Sequence, residues 1–255
     1  MTSRISDIKY LSIKKILNLL ELNILYFLKK VGINISNAPL PYSLTIEPTN
    51  ICNLHCPECP SGAGILTRPK GYMDIGLFKK IINENMKNLI SLILHFQGEP
   101  LLNDKIAEFI SYANKNRIYT MFSTNAQLLE QNIDKIIGSG LDKIIISLDG
   151  LSPKTYNEYR QGADINKVFD ALEILKKYPG KKPIIELQFL VFKHNEHEIS
   201  LLKELKRKYK VDRIAIKSAQ ITVNKNLIPN NPKYSRYSKN DEQFVIKSKQ
   251  KNSCY

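Results

Sequence analysis

Short apolar runs alternate with amphipathic stretches six times after residue 42, and no other feature of this 255-residue chain narrows its fold as much. The runs at 43–47, 92–97, 118–123, 143–148, 184–191 and 213–217 are rich in Ile, Leu or Phe, as strands buried on both faces are. Helical patterns at about 74–88, 104–116, 128–139, 164–178 and 195–209 separate them, with Asp74, Asp104 and Asn195 at the expected N-cap positions. Such alternation implies parallel pairing with right-handed crossovers. The expected fold class is therefore α/β: a partial, TIM-like (β/α)6 barrel with an N-terminal helix and an extended C-terminal tail.

The flanks differ from this middle. The chain carries 38 basic and 24 acidic residues, net +14, which first suggests nucleic acid. Residues 1–37 account for +4, 38–223 for +5 and 224–255 for +5. The body is thus only mildly basic, and no stretch interleaves cations with aromatics as a nucleic-acid platform does. No nucleic-acid partner is expected. Residues 1–37 form an amphipathic helical segment, with a stripe at Ile13, Ile16, Leu17, Leu20, Ile24, Phe27, Leu28 and Val31. Lys14, Lys15, Asn18, Glu21 and Asn23 interrupt it too often for a membrane-spanning helix. We expect the stripe to pack on the body; the alternative is peripheral contact of residues 10–31 with a membrane surface or a partner. Residues 38–223 are the expected barrel. Residues 224–255 are polar, with Pro229 and Pro232, and read as a linker or extended tail.

Three of the four cysteines fall within eight residues, in Cys52-Asn53-Leu54-His55-Cys56-Pro57-Glu58-Cys59. That is too few and too clustered for a disulfide scaffold, and it points to a metal site in a reducing, cytoplasmic setting. The loop follows the first strand directly, where α/β barrels place their active sites. Three thiolates suit a polynuclear iron–sulfur cluster with one iron lacking a protein ligand, or zinc completed by His55 or Cys254. The zinc reading makes the chain a stapled binding module for RNA or another acidic partner.

Later strands also end in small polar groups. Gln97-Gly98-Glu99-Pro100 closes the second, where a tight turn offers backbone carbonyls and the Glu99 carboxylate to an ammonium. Ser123-Thr124-Asn125 closes the third and Ser147-Leu148-Asp149-Gly150 the fourth. Each alone is an ordinary turn. Arg160, in Tyr-Arg-Gln-Gly, reads equally as a ligand or a surface arginine. His95, His194 and His197 have no motif around them, and the last two are expected in solvated loops.

Taken in order, these pieces resemble the radical S-adenosylmethionine enzymes over roughly residues 40–220. The resemblance implies a [4Fe-4S] cluster on Cys52, Cys56 and Cys59. Its open iron would be chelated by S-adenosylmethionine, and reductive cleavage would yield a 5′-deoxyadenosyl radical that abstracts hydrogen. It assigns Gln97, Gly98, Glu99 and Pro100 to the methionyl amino group, although the family pattern is Gly-Gly-Glu-Pro and Gln97 replaces its first glycine. Ser123, Asn125, Ser147 and Asp149 fall where the family contacts ribose and carboxylate, and Arg160 where it reaches the methionyl carboxylate. Residue 58 is often aromatic in the family and touches adenine. Glu58 cannot stack, so adenine packing must come from elsewhere. Pro60-Ser61-Gly62, the 67–71 run, the 233–237 run and Cys254 resemble the branch whose cysteine-rich C-terminal extension holds auxiliary clusters. The chain looks cut off at the entrance to that extension. The branch implies a peptide or protein substrate, and the chemistry implies a reducing donor such as a flavodoxin or ferredoxin.

Overall fold

The protein is described here by a computed structural model covering residues 5–33, 39–240 and 243–247. A 3-10 turn at Ile5–Tyr10 leads into α1 (Ile13–Lys30). The body then runs β1 (Ser43–Thr45), α2 (Ile75–Asn85), β2 (Ser91–Ile93), α3 (Ile106–Lys115), β3 (Tyr119–Thr124), α4 (Ile133–Gly138), β4 (Lys143–Ser147), α5 (Pro153–Tyr159), α6 (Ile165–Lys177), β5 (Ile184–Val191), α7 (Leu202–Lys208) and β6 (Arg213–Ser218). The six strands pair in parallel in the order β1-β2-β3-β4-β5-β6, so the sheet stays open between β1 and β6. This is the partial (β/α)6 barrel expected.

Register divides the side chains between two faces. Leu92, Thr120, Phe122, Ile144, Ile146, Ile185 and Leu187 lie on one face, fully buried in the main core with Phe78 and Ile82 of α2, Phe109 and Ile110 of α3, and Val168 and Leu172 of α6. The opposite, concave face is mixed: Ser123, Ser147 and Gln188 fall there, with Lys217 in the same parity on β6, among Ile93, Met121, Ile145 and Leu190. Because every strand is parallel, the loops after them gather at one edge.

Local signals explain most helix starts and two misplacements. The Asp74 side chain accepts from Gly76 N (2.7 Å) and Leu77 N (3.1 Å), as an N-cap should. Asp104 does not cap α3. The buried Asn103 takes the turn instead, accepting from Lys105 N (2.9 Å) and donating to the Pro48 carbonyl (2.7 Å). Asn195 does not cap its helix either. Its Oδ1 accepts from Phe192 N and its Nδ2 donates to the Asp149 and Leu190 carbonyls, so it binds β4's end to β5's end. Helix α5 lies outside the expected patterns, although Ser152, Pro153 and Thr155 form a capping box with proline in the first turn. His194 is not solvated: its ring stacks on Phe192 and its side chain is 9% exposed.

The flanks differ most from expectation. After β6, a 3-10 turn at Lys225–Leu227 and an antiparallel hairpin of β7 (Tyr237–Asn240) and β8 (Gln243–Ile246) give the polar tail real structure. Leu227, Ile228 and Tyr237 join the main core, and the Tyr237 hydroxyl both donates to Ile221 O and accepts from Ile221 N, each at 2.8 Å. Cys254 lies outside the described residues. Helix α1 is turned the other way round from the expected packing. Its buried residues are Lys15 and Asn18, which donate to the carbonyls of Arg117 (2.6 Å) and Leu40 (2.9 Å). Seven of the eight stripe residues face outward, and Leu28 is half-buried.

Candidate active site at the carboxyl ends of the strands

The loop that follows β1 sinks its middle into the protein. Leu54 and Cys56 are buried, while Cys52 and Cys59 are half-buried. All three cysteines are unpaired thiols. Burial raises the Cys56 thiol to about 11, and the Cys52 thiol is raised as well, again chiefly by burial and further by Glu99 and Cys59. Thiolates gathered this way repel one another and need a cation to share. His55 is exposed. Three thiols from one loop suit a polynuclear group, so the donor set fits a cluster.

The neighbouring strand ends clamp this loop. Gly98 sits at φ +74, and a Cβ there would lie 2.4 Å from Thr49 O and 2.7 Å from Ile51 O. Only glycine allows the Gln97–Pro100 turn to lie flat on the residues leading to Cys52. Glu99 N donates to Ile51 O (2.8 Å) across the same contact. The Gln97 amide oxygen lies 3.6 Å from Cys59 Sγ, so the residue that departs from Gly-Gly-Glu-Pro reaches a thiol. Asn125 donates from Nδ2 to Asn53 Oδ1 (2.8 Å), with Cys52 Sγ 3.9 Å away. His55 N donates to Gln161 O (2.9 Å), tying the loop to the segment after α5.

Several residues read as ligand groups are enclosed by the protein. The Glu99 carboxylate is 2% exposed; it accepts from Thr124 Oγ1 (2.7 Å), Leu101 N (3.2 Å) and Asn125 N (2.8 Å). Burial raises its affinity for a proton, partly offset by those bonds. It braces β2's turn to β3's end. Asp149 is fully buried and accepts from Leu190 N (2.7 Å) and from Arg160 Nε (2.7 Å) and Nη2 (2.6 Å). Arg160 is therefore no surface arginine: burial works against its charge, and Asp149 and Cys56 more than reverse that. Ser123 and Ser147 do come together on the concave face, Oγ to Oγ 3.5 Å.

Two residues carry more than the sequence suggested. His95 Nδ1 accepts from Ser123 N (3.1 Å), which places its proton on Nε2, and burial with the charges of Lys217 and Lys143 holds the ring neutral down to about pH 4. Lys217 Nζ donates to Gln188 Oε1 (2.7 Å) on the same face. Glu58 accepts four hydrogen bonds: from Thr222 N (2.6 Å) and Oγ1 (3.0 Å), Val223 N (3.0 Å) and Asn224 N (2.7 Å). Burial opposes its charge, but the three backbone donors hold its carboxyl below the usual range. The loop after β1 is thus tied to the loop after β6, across the open seam of the sheet. No sequence signal announces so distant a contact.

Comparison with known proteins agrees with this geometry. The sequence profile of the Radical SAM superfamily matches residues 46–216. A GTP 3′,8-cyclase of Clostridium botulinum strain Hall is 31% identical over 175 residues, covering 66% of this chain and 53% of that protein. A probable GTP 3′,8-cyclase of Methanococcus maripaludis is 32% identical over 133 residues, covering 52% of this chain and 44% of that one. The chain thus spans about half the length of the curated relatives it matches. Streptococcus suis SuiB bound to S-adenosylmethionine superposes with a TM-score of 0.64 at 20% identity, over 81% of this chain and 46% of SuiB, a likeness of fold.

Proposed function

Because the chain belongs to the Radical SAM superfamily, we propose that Cys52, Cys56 and Cys59 hold its [4Fe-4S] cluster, and that the neighbouring strand ends hold S-adenosylmethionine for reductive cleavage. The observation that carries the reading is the clamped three-thiol loop at the edge where all six strand ends gather. When bound, the reduced cluster supplies one electron to the sulfonium of S-adenosylmethionine, releasing a 5′-deoxyadenosyl radical for hydrogen abstraction. The chain's own residues position and enclose. Backbone of Gln97 and Gly98, in the turn that Glu99 and Pro100 complete, meets the methionyl ammonium, and Ser123, Ser147 and Asn125 meet hydroxyl or carboxylate oxygens. Asp149 holds Arg160 charged beside Cys56, where its remaining N–H groups face the methionyl carboxylate. Buried Leu54 keeps water from beneath the loop.

The substrate then lies on the concave face, against His95, Gln188 and Lys217. A neutral imidazole N–H and an ammonium are donors, which favours a polar substrate rich in acceptors. The relatives named as GTP 3′,8-cyclases support a nucleotide of this kind. SuiB in complex with its precursor peptide SuiA supports a peptide by fold alone. The concave donors favour the nucleotide class. The auxiliary-cluster branch remains part of the proposal, carried by the resemblance of residues 60–62, 67–71 and 233–237, and the flavodoxin or ferredoxin donor by the electron that the cleavage requires.

Anaerobic reconstitution tests the core of this reading. The expected result is about four irons per chain and dithionite-dependent formation of 5′-deoxyadenosine, both lost in Cys56→Ala. One zinc per chain and no 5′-deoxyadenosine refutes it.

A further inference from the structure

Helix α1 shows solvent its apolar side. At 3.6 residues per turn, Ile13, Ile16, Leu17, Leu20, Ile24, Phe27 and Val31 fall within an arc of about 100°. All seven are exposed, from 42% for Ile16 to 79% for Ile13. A contiguous strip of seven large apolar side chains is far more than scattered surface hydrophobics account for. The orientation is fixed from the opposite side. Lys15 and Asn18 donate to Arg117 and Leu40 carbonyls, and Tyr10, just before the helix, pairs with Asp142 and meets the Tyr119 ring edge-on at 5.6 Å. Rotating the helix to bury the stripe would break these bonds and leave the Arg117 and Leu40 carbonyls without the Lys15 and Asn18 donors they now have.

We propose that this outward face docks on an anionic lipid surface. The charge pattern selects that occupant. Lys14 and Lys30 lie just beyond opposite borders of the arc, about 60° and 40° outside it. Both are exposed. Lysines on both borders lay their stems along the apolar stripe and lift their ammonium groups to headgroup phosphates. Glu21 is the one acid on the exposed borders. A protein partner would need a carboxylate for each border lysine, whereas a phosphate layer matches both at once. No described helix is long and apolar enough to cross a membrane, so α1 lies on the surface. Its side chains enter the headgroup boundary, and the barrel stays on the aqueous side.

The test is flotation of the 255-residue protein with vesicles of phosphatidylcholine and phosphatidylglycerol in equal parts, against phosphatidylcholine alone. The protein should float with the mixed vesicles and lose binding as sodium chloride rises. Leu20→Asp with Ile24→Asp should cut binding at least tenfold, and Lys14→Gln with Lys30→Gln about fivefold for each lysine. Neither pair should shift thermal unfolding, because all four side chains are exposed. Absence of flotation, or undiminished flotation of the aspartate pair, overturns the proposal. Equal binding to both vesicle types overturns the anionic requirement. A dimer in light scattering that the aspartate pair splits, with no vesicle binding by the parent, gives the face to a second copy instead.

Discussion

Replacing Asp149 by Asn tests the most enclosed interaction of the site. Asp149 is fully buried, and its Oδ2 takes both Arg160 bonds, at 2.7 and 2.6 Å. The amide keeps the bond from Leu190 N but removes the charge, leaving a buried guanidinium without compensation. Breaking one side of a buried pair costs about 3–5 kcal/mol. At ~2–4 °C per kcal/mol for a chain of this size, the melting temperature should fall by about 6–20 °C. Removing both charges, with Asp149→Asn and Arg160→Gln together, should recover most of the loss, because a neutral buried pair has no stranded ion. The assay is urea unfolding of the metal-free protein under reducing conditions, closed as a double-mutant cycle. A loss below about 1 kcal/mol for the single variant, or a double variant no better than the sum of its parts, would show that the pair is not coupled as the geometry says.

Three further outcomes follow from single contacts. Once Cys59 is a thiolate it only accepts, so the Gln97 amide must present Nε2–H to it; Gln97→Leu should lower the cluster's reduction potential by about 40 mV, one hydrogen bond of ~1 kcal/mol, read by spectroelectrochemistry. His95 binds a proton at about 4 against the usual 6.5, so between these values the unfolded chain takes up a proton that the folded chain does not. Stability from neutral His95 is whole above pH 6.5 and is lost as pH falls towards 4, and His95→Gln should flatten that part of the stability–pH curve; an unchanged acid limb counts against the assignment. Glu58→Ala removes the acceptor for three successive backbone N–H groups, so amides of Thr222, Val223 and Asn224 should exchange at least tenfold faster by hydrogen-exchange mass spectrometry, with core amides of β4 unchanged.

What the sequence disclosed and what it hid divide along a physical line. The alternation of apolar runs and amphipathic stretches set the strand order, because burying both faces of a parallel sheet leaves a periodic trace along the chain. The Cys52–Cys59 loop was legible because its chemistry lies within eight residues. The long-range roles left no such trace. Glu99, Asp149 and Asn125 were read as groups awaiting a ligand, yet protein partners occupy much of their capacity. Residue type at a strand end says that a polar group is needed there, not whether its partner is a cofactor or the next strand. Helix α1 shows the same limit. Its apolar period is real, but period fixes only the existence of a face; Lys15 and Asn18, which look like interruptions of the stripe, decide which way it points.

Glu58 draws the two kinds of information together. An open six-strand sheet leaves β1 and β6 as edges, and the site sits above both. In a closed barrel, β-ladder bonds would join those edges. Here one carboxylate next to Cys59 gathers the N–H groups of residues 222–224, while Leu227, Ile228 and Tyr237 pack beneath in the main core. The position where the resembling family often carries an aromatic residue thus holds the seam of the barrel in this chain. Contacts to adenine must then come from residues other than Glu58. Whatever binds above the cysteines therefore meets a rim whose closure depends on the loop that carries them.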